Sequence, residues 1–251
     1  MNTQMTPLPI NNFTILDSIH GKFIVNRHCA IQAETLVKTG STHIESELLN
    51  IRQVLNTLSE GAVAIDAGAN IGLVGIPISN WLRPKNGIVH CFEVQRLLFY
   101  ALCGAVALND IDNLFVHNFG LGDIETLLKV PKQNYSEPKD FGMVSLKDQE
   151  NVTSSEIVEI KSIDSLKLNR LDFLKIDVEG MELQVLRGAK DTIAKERPWC
   201  WIEYWMVDKN LLKHEFEGLN YSIYVMDQLN VLCAPVEKLI ASGLQINAPL
   251  F

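Results

Sequence analysis

Short runs dominated by apolar residues alternate along this chain with stretches in which apolar residues return every three or four positions. Residues 62–65, 87–93, 114–119, 172–177 and 199–204 are runs of the first kind, closed by glycine, asparagine, proline or acid. Continuous short runs predict strands buried on both faces, as a parallel sheet requires. In the second kind, Ile44, Leu48, Ile51, Leu55 and Leu58 recur at alternating steps of four and three, giving one apolar helical face. Thr42 and Glu45 have the spacing of a capping box ahead of that face, and Gly61 stands where the helix should end. Further helices are predicted at 71–82, where Pro77 should kink or shorten the first part, and at 96–108, 181–187 and 189–195. Strand and helix alternating at this spacing predict an α/β fold with a doubly wound, mostly parallel sheet.

Three segments depart from the rhythm. Residues 1–40 read as short strands, with 13–16 and 22–25 flanking a turn at His20-Gly21, an N-terminal β-hairpin decoration before a main domain at 41–251. Residues 127–160 carry Pro131, Pro138 and Gly142 with strand-like pieces at 143–146 and 157–163. They read as an insertion hairpin at the rim of the site, where loops carry specificity. Residues 221–226 and 230–234, turning at Asp227-Gln228, read as an antiparallel pair that finishes the sheet.

Composition narrows the picture. A chain of 251 residues with 47% hydrophobic content builds one large core and is not disordered. A net charge of −8 without any basic run argues against a partner held by its phosphates, so no nucleic acid is expected. The five cysteines are scattered with no C-x-x-C pair, which points to buried free thiols in a reducing, cytoplasmic compartment. The N-terminus lacks the pattern of a signal peptide, and the longest uncharged apolar run, 97–108, is too short to span a bilayer.

The chemistry centres on residues 61–75, G-A-V-A-I-D-A-G-A-N-I-G-L-V-G. They read as a buried strand ending at Asp66, a turn carrying Gly68 and Gly72, and a helix start. Such a turn lets a ligand approach the backbone, beside the free N–H groups of the helix. A dinucleotide site wants G-x-G-x-x-G, but the glycines here fall at 68, 72 and 75. An S-adenosylmethionine site wants an acid ending the first strand, a small-residue loop, and a second acid ending the next strand. Asp66 and Glu93 meet both demands, which favours the second cofactor.

Residues 171–189, L-D-F-L-K-I-D-V-E-G-M-E-L-Q-V-L-R-G-A, resemble the hallmark of the FkbM family of S-adenosylmethionine-dependent methyltransferases. The similarity extends to A-I-D-A-G-A-N-I-G at 64–72, V-H-C-F-E at 89–93 and I-D-S-L at 163–166, over roughly residues 45–205. Val94 is a departure, since many members carry proline there. The resemblance implies a class I methyltransferase (Rossmann-like) fold, a seven-stranded sheet with an antiparallel last strand, and O-methylation. The acceptor it implies is a sugar, glycan or polyketide-type hydroxyl.

On this reading Asp66 faces the methionine amino end, Glu93 the ribose hydroxyls, and Gly68, Asn70 and Gly72 clear the loop. Gly122 and Asp123 are candidates for the adenine side. Asp177 and Glu179 are the base candidates, expected as unpaired crevice carboxylates. Glu182 and Glu203 are placed toward the substrate, although Glu182 equally suits the helix start, where its charge favours the dipole. No metal is assigned, with magnesium on Asp177, Glu179 and Glu203 as the alternative. His214 and Trp205 are weaker candidates, as spare base and stacking surface. A nicotinamide-dependent oxidoreductase is the first rival, on the Tyr135-x-x-x-Lys139 spacing, but Pro138 denies that segment its helix. A non-catalytic binding module is the second, and it predicts eroded cofactor residues that are here intact.

Overall fold

The computed structural model describes residues 11–142 and 154–246. Strands β1 (Phe13–Ser18) and β2 (Gly21–Asn26) form the expected hairpin, with Ser18 paired to Gly21 across the turn. The rest of the N-terminal segment is not strand: Ala30–Thr39 forms helix α1, ended by Gly40 in the left-handed region. Helix α2 (Glu45–Asn56) buries Leu48, Ile51, Val54 and Leu55 as the periodicity demands. The capping box does not form. The helix starts at Glu45 behind Ile44, so Thr42 lies too early to cap it, and its hydroxyl is buried without a partner among the described residues. Glu45 turns instead to the Ser41 hydroxyl and to His20 Nε2 at 2.9 Å.

The main sheet runs through β3 (Val63–Ala67), β4 (Ile88–Phe92), β5 (Leu114–His117), β9 (Phe173–Ile176), β10 (Trp199–Glu203), β11 (Tyr221–Val225) and β12 (Asn230–Pro235). Its seven strands lie in the order β11-β12-β10-β9-β3-β4-β5, parallel except for β12, which is antiparallel to both neighbours. Helices α3 (Gly75–Leu82) and α4 (Arg96–Leu108) fill one face with the hairpin, α1 and α2. Helices α5 (Glu182–Arg187), α6 (Lys190–Glu196) and α7 (Lys209–Glu215) fill the other. Helix α8 (Val236–Ser242) follows the last strand. Pro77 falls in the first turn of α3, where its missing N–H costs nothing, and the helix is shortened accordingly to begin at Gly75.

The insertion is a second, three-stranded sheet. Strand β6 (Gly120–Leu121) pairs parallel with β8 (Ser155–Lys161), which pairs antiparallel with β7 (Thr126–Pro131). The strand-like piece expected at 143–146 lies outside the described residues. Residues 132–142 hold no helix, Tyr135 donates to Gln95 and Lys139 to Gln133, so the dehydrogenase pair is not assembled. All five cysteines are free thiols, four of them buried, and no described helix is long and apolar enough to cross a membrane.

Candidate functional site

A cavity of about 460 Å³ opens at the carboxyl ends of β3, β4, β9 and β10. This is where an open α/β sheet places its ligands. Leu73, Val74, Phe92 and Leu121 give it apolar walls, Ile31 and Ile44 lie under the α1 and α2 side, and Asp140 and Gly142 of the insertion reach its rim.

Glu93 follows β4 and is 5% exposed. Its Oε2 accepts from the Asn70 N–H at 2.8 Å and its Oε1 from the Gln95 N–H at 2.7 Å, so the carboxylate is fixed in one orientation. Burial pushes its pKa up to about 7, against the lowering effect of those two N–H groups. Asn70 takes the left-handed conformation at φ 51°, and its own Oδ1 accepts from the Ile71 N–H. Gln95 then ties the site to the insertion, donating to the Phe141 carbonyl at 2.6 Å and accepting from the Tyr135 hydroxyl at 3.0 Å.

The glycines serve packing as much as access. A Cβ on Gly68 would lie 1.7 Å from the Asp177 carbonyl oxygen, where the loops after β3 and β9 run against each other. Its φ of +82° adds strain for any other residue. We expect Gly68→Ala to lose at least ~2 kcal/mol of stability in urea unfolding, and an unchanged midpoint would refute this close approach. Gly72 does not line the cavity: a Cβ there would strike Leu102 of α4 at 2.4 Å.

Asp66 also lies outside the cavity wall. It is 0% exposed, and neither carboxylate oxygen has a hydrogen-bond partner among the described residues. The register explains its surroundings, because Asp66 stands opposite Cys91 on β4 and Lys175 on β9, all on one face. Lys175 Nζ is 3.6 Å from Asp66 Oδ1 and donates to Asp177 Oδ2 at 2.9 Å. Asp177 is therefore paired, not the unpaired carboxylate expected from sequence. Burial raises the Asp66 pKa, with Lys175 opposing and Asp177 reinforcing. Burial alone would lower that of Lys175, but Asp177, Asp66 and Glu47 together raise it.

Asp177, Glu179 and Glu203 each offer a carboxylate oxygen, all within 4.8 Å of one another, an oxygen-only set that suits a hard divalent cation. Glu179 sits at φ 52° on the loop after β9, and burial, then Asp177 and Glu182, push its pKa up to about 7. Glu203 is pushed up to about 9 by burial and by Asp177, while its Oε2 accepts from Trp205 Nε1 at 3.0 Å.

The other candidates lie elsewhere. Glu182 is 2% exposed and outside the cavity. Its Oε1 accepts from the Val178 and Gly180 N–H groups at 3.2 and 2.9 Å, which clamps the 177–181 loop instead of meeting a substrate. Gly122 and Asp123 are also outside, because the Gly122 N–H is drawn to the Lys161 carbonyl and Asp123 is exposed; Gly120 and Leu121 take the cavity wall. His214 is on the surface with Glu217. Lys175, Glu47, Gln95 and Asp140 were not foreseen. Lys175 carried a legible signal, since a lysine inside a strand buried on both faces requires an anionic partner.

The family model of the methyltransferase FkbM domain matches residues 66–223, more than half of the chain. "Methyltransferase 1" of Beauveria bassiana is 27% identical over 146 residues, which cover 51% of this chain and 58% of that protein. The solved structure of methyltransferase FkbM from Methylobacillus flagellatus KT shares the fold at 20% identity, with a TM-score of 0.51. It covers 70% of this chain and 44% of that one. The chain thus spans less than two thirds of the length of these relatives.

Proposed function

We propose that this chain, which belongs to the FkbM family of S-adenosylmethionine-dependent methyltransferases, methylates a hydroxyl of a sugar unit or small natural product. The observation that carries the reading is Glu93 held by two backbone N–H groups on the wall of the same cavity that receives Asp177, Glu179 and Glu203. The residues present fit the donor. Glu93, when ionised, is an acceptor-only group suited to adjacent ribose hydroxyls, Phe92 and Leu121 offer apolar walls for a flat base, and Gly68 and Asn70 leave the loop open. When bound, the donor supplies a methyl group on a positively charged sulfur whose leaving group is already activated. The protein's share is orientation, and removal of the acceptor proton by the carboxylate cluster.

The acidic rim suits a polyhydroxylated acceptor, and with the −8 charge it repels nucleic-acid phosphate. Residues 131–142 are a poor target for deletion, because they include Phe141, 1% exposed in the main core. The direct test is an assay with labelled methyl donor against glycans, polyketides, nucleic acids and protein extracts. Label on a hydroxyl is the expected result, and label mainly on nucleic acid or protein nitrogen would refute the acceptor class. In titration calorimetry Glu93→Ala should weaken S-adenosylhomocysteine by about 2–3 kcal/mol, and unchanged binding would remove Glu93 from the site.

A further inference from the structure

We infer that Glu47 of α2 receives the α-ammonium group on the methionyl arm of S-adenosylmethionine, so that α2 forms part of the donor site. The inference rests on the proposed function and assigns a role to a residue outside the span 66–223 matched by the family model.

Glu47 lines the cavity from α2. Its Oε1 is shut off from solvent, yet no donor among the described residues reaches it. A buried carboxylate oxygen left in this state is costly, so a donor brought by the ligand is the natural partner. Among the described residues the cavity has no lysine or arginine to spare. Lys175 is the one lysine or arginine lining the cavity among the described residues, and Asp177 at 2.9 Å and Asp66 at 3.6 Å already engage it. Asp66 itself keeps two unpartnered oxygens. Asp66, Asp177 and Glu47 thus share one ammonium group, and the place short of positive charge is beside Glu47. A hydroxyl would bring a hydrogen bond without charge, whereas an ammonium brings three N–H donors with it.

The location favours the donor over the acceptor. Helix α2 packs against α3, which opens just after the Gly68–Gly72 loop, and Glu47 lines the cavity together with Gly68 and Asn70, the loop that faces the donor.

The test is titration calorimetry on the full chain with S-adenosylhomocysteine and with 5′-methylthioadenosine, which keeps the nucleoside but lacks the amino-acid arm. Glu47→Gln should weaken S-adenosylhomocysteine about 10-fold or more and leave methylthioadenosine within about twofold. Retained methylthioadenosine binding also shows that the variant is folded. Unchanged affinity for S-adenosylhomocysteine would overturn the inference, as would an equal loss for both ligands. A wild-type chain that binds neither ligand would overturn the proposed function itself.

Discussion

Replacing Lys175 with glutamine should cost about 3–5 kcal/mol of folding stability at pH 8, and clearly less at pH 5. The Lys175 side chain is 5% exposed and sits among Asp66, Asp177 and Glu47, whose charges hold it protonated against the effect of burial. Removing it leaves Asp66, 0% exposed, with no cation in reach of its two unpartnered oxygens. The pH dependence follows from the carboxyl groups. The folded pKa of Glu47 is raised to about 7 and that of Asp66 is also raised, both above their ordinary values. Stability associated with a raised pKa is fully present below the ordinary value and lost as pH rises through the folded one. Without Lys175 both values rise further, so the variant is penalised most at pH 8, while at pH 5 protons neutralise the groups instead. Urea unfolding at the two pH values decides the matter. An equal loss at both would mean that the lysine only fills space, and no loss would refute the buried charge network.

Local pattern made the strands and helices of the sheet legible, because a strand buried on both faces must be apolar throughout and a packed helix must repeat every three or four residues. The glycine turn and the two strand-end acids, Asp66 and Glu93, were legible for the same reason, being adjacent to those strands. What failed depended on contacts between distant segments. The pairing of Asp66 with Lys175 is a matter of sheet register, which two strands more than 100 residues apart do not reveal individually. Thr42 and Glu45 had capping-box spacing, but the helix was fixed by the burial of Leu48 and Ile51 and by His20 drawing Glu45 away. Glu47 gave little sign of itself because an acid beside an apolar helical face is ordinarily a solvated flank. Only the way α2 closes over the β3 and β9 ends makes it part of the cavity. Gly122 and Asp123 were displaced by two positions through the pairing of β6 with β8, a strand contributed by the far arm of the insertion.

The last expected result concerns the base, and the structure shifts the weight from Asp177 to Glu179. Asp177 Oδ2 accepts from Lys175 at 2.9 Å, which commits one oxygen of that carboxylate to holding the network together. Glu179 has no such partner among the described residues, and its pKa is pushed up to about 7, close to the value at which a general base is most effective near neutral pH. Glu203, pushed up to about 9, keeps its proton over the same range and can donate a hydrogen bond. Glu179→Gln should therefore lower kcat by about 10²-fold or more while leaving the Kd for S-adenosylhomocysteine within about threefold. In the wild type, kcat should rise with pH through about 7 and fall again through about 9, as the cluster gives up its protons in two coupled steps. Glu203→Gln should abolish the upper limb while keeping the lower one. A chelator added to the same assay separates the magnesium reading: activity lost with chelator and restored by magnesium would make the three acids ligands of a cation. Turnover retained in Glu179→Gln without any metal requirement would return the role to Asp177, because it is the remaining acid of the cluster on the loop after β9.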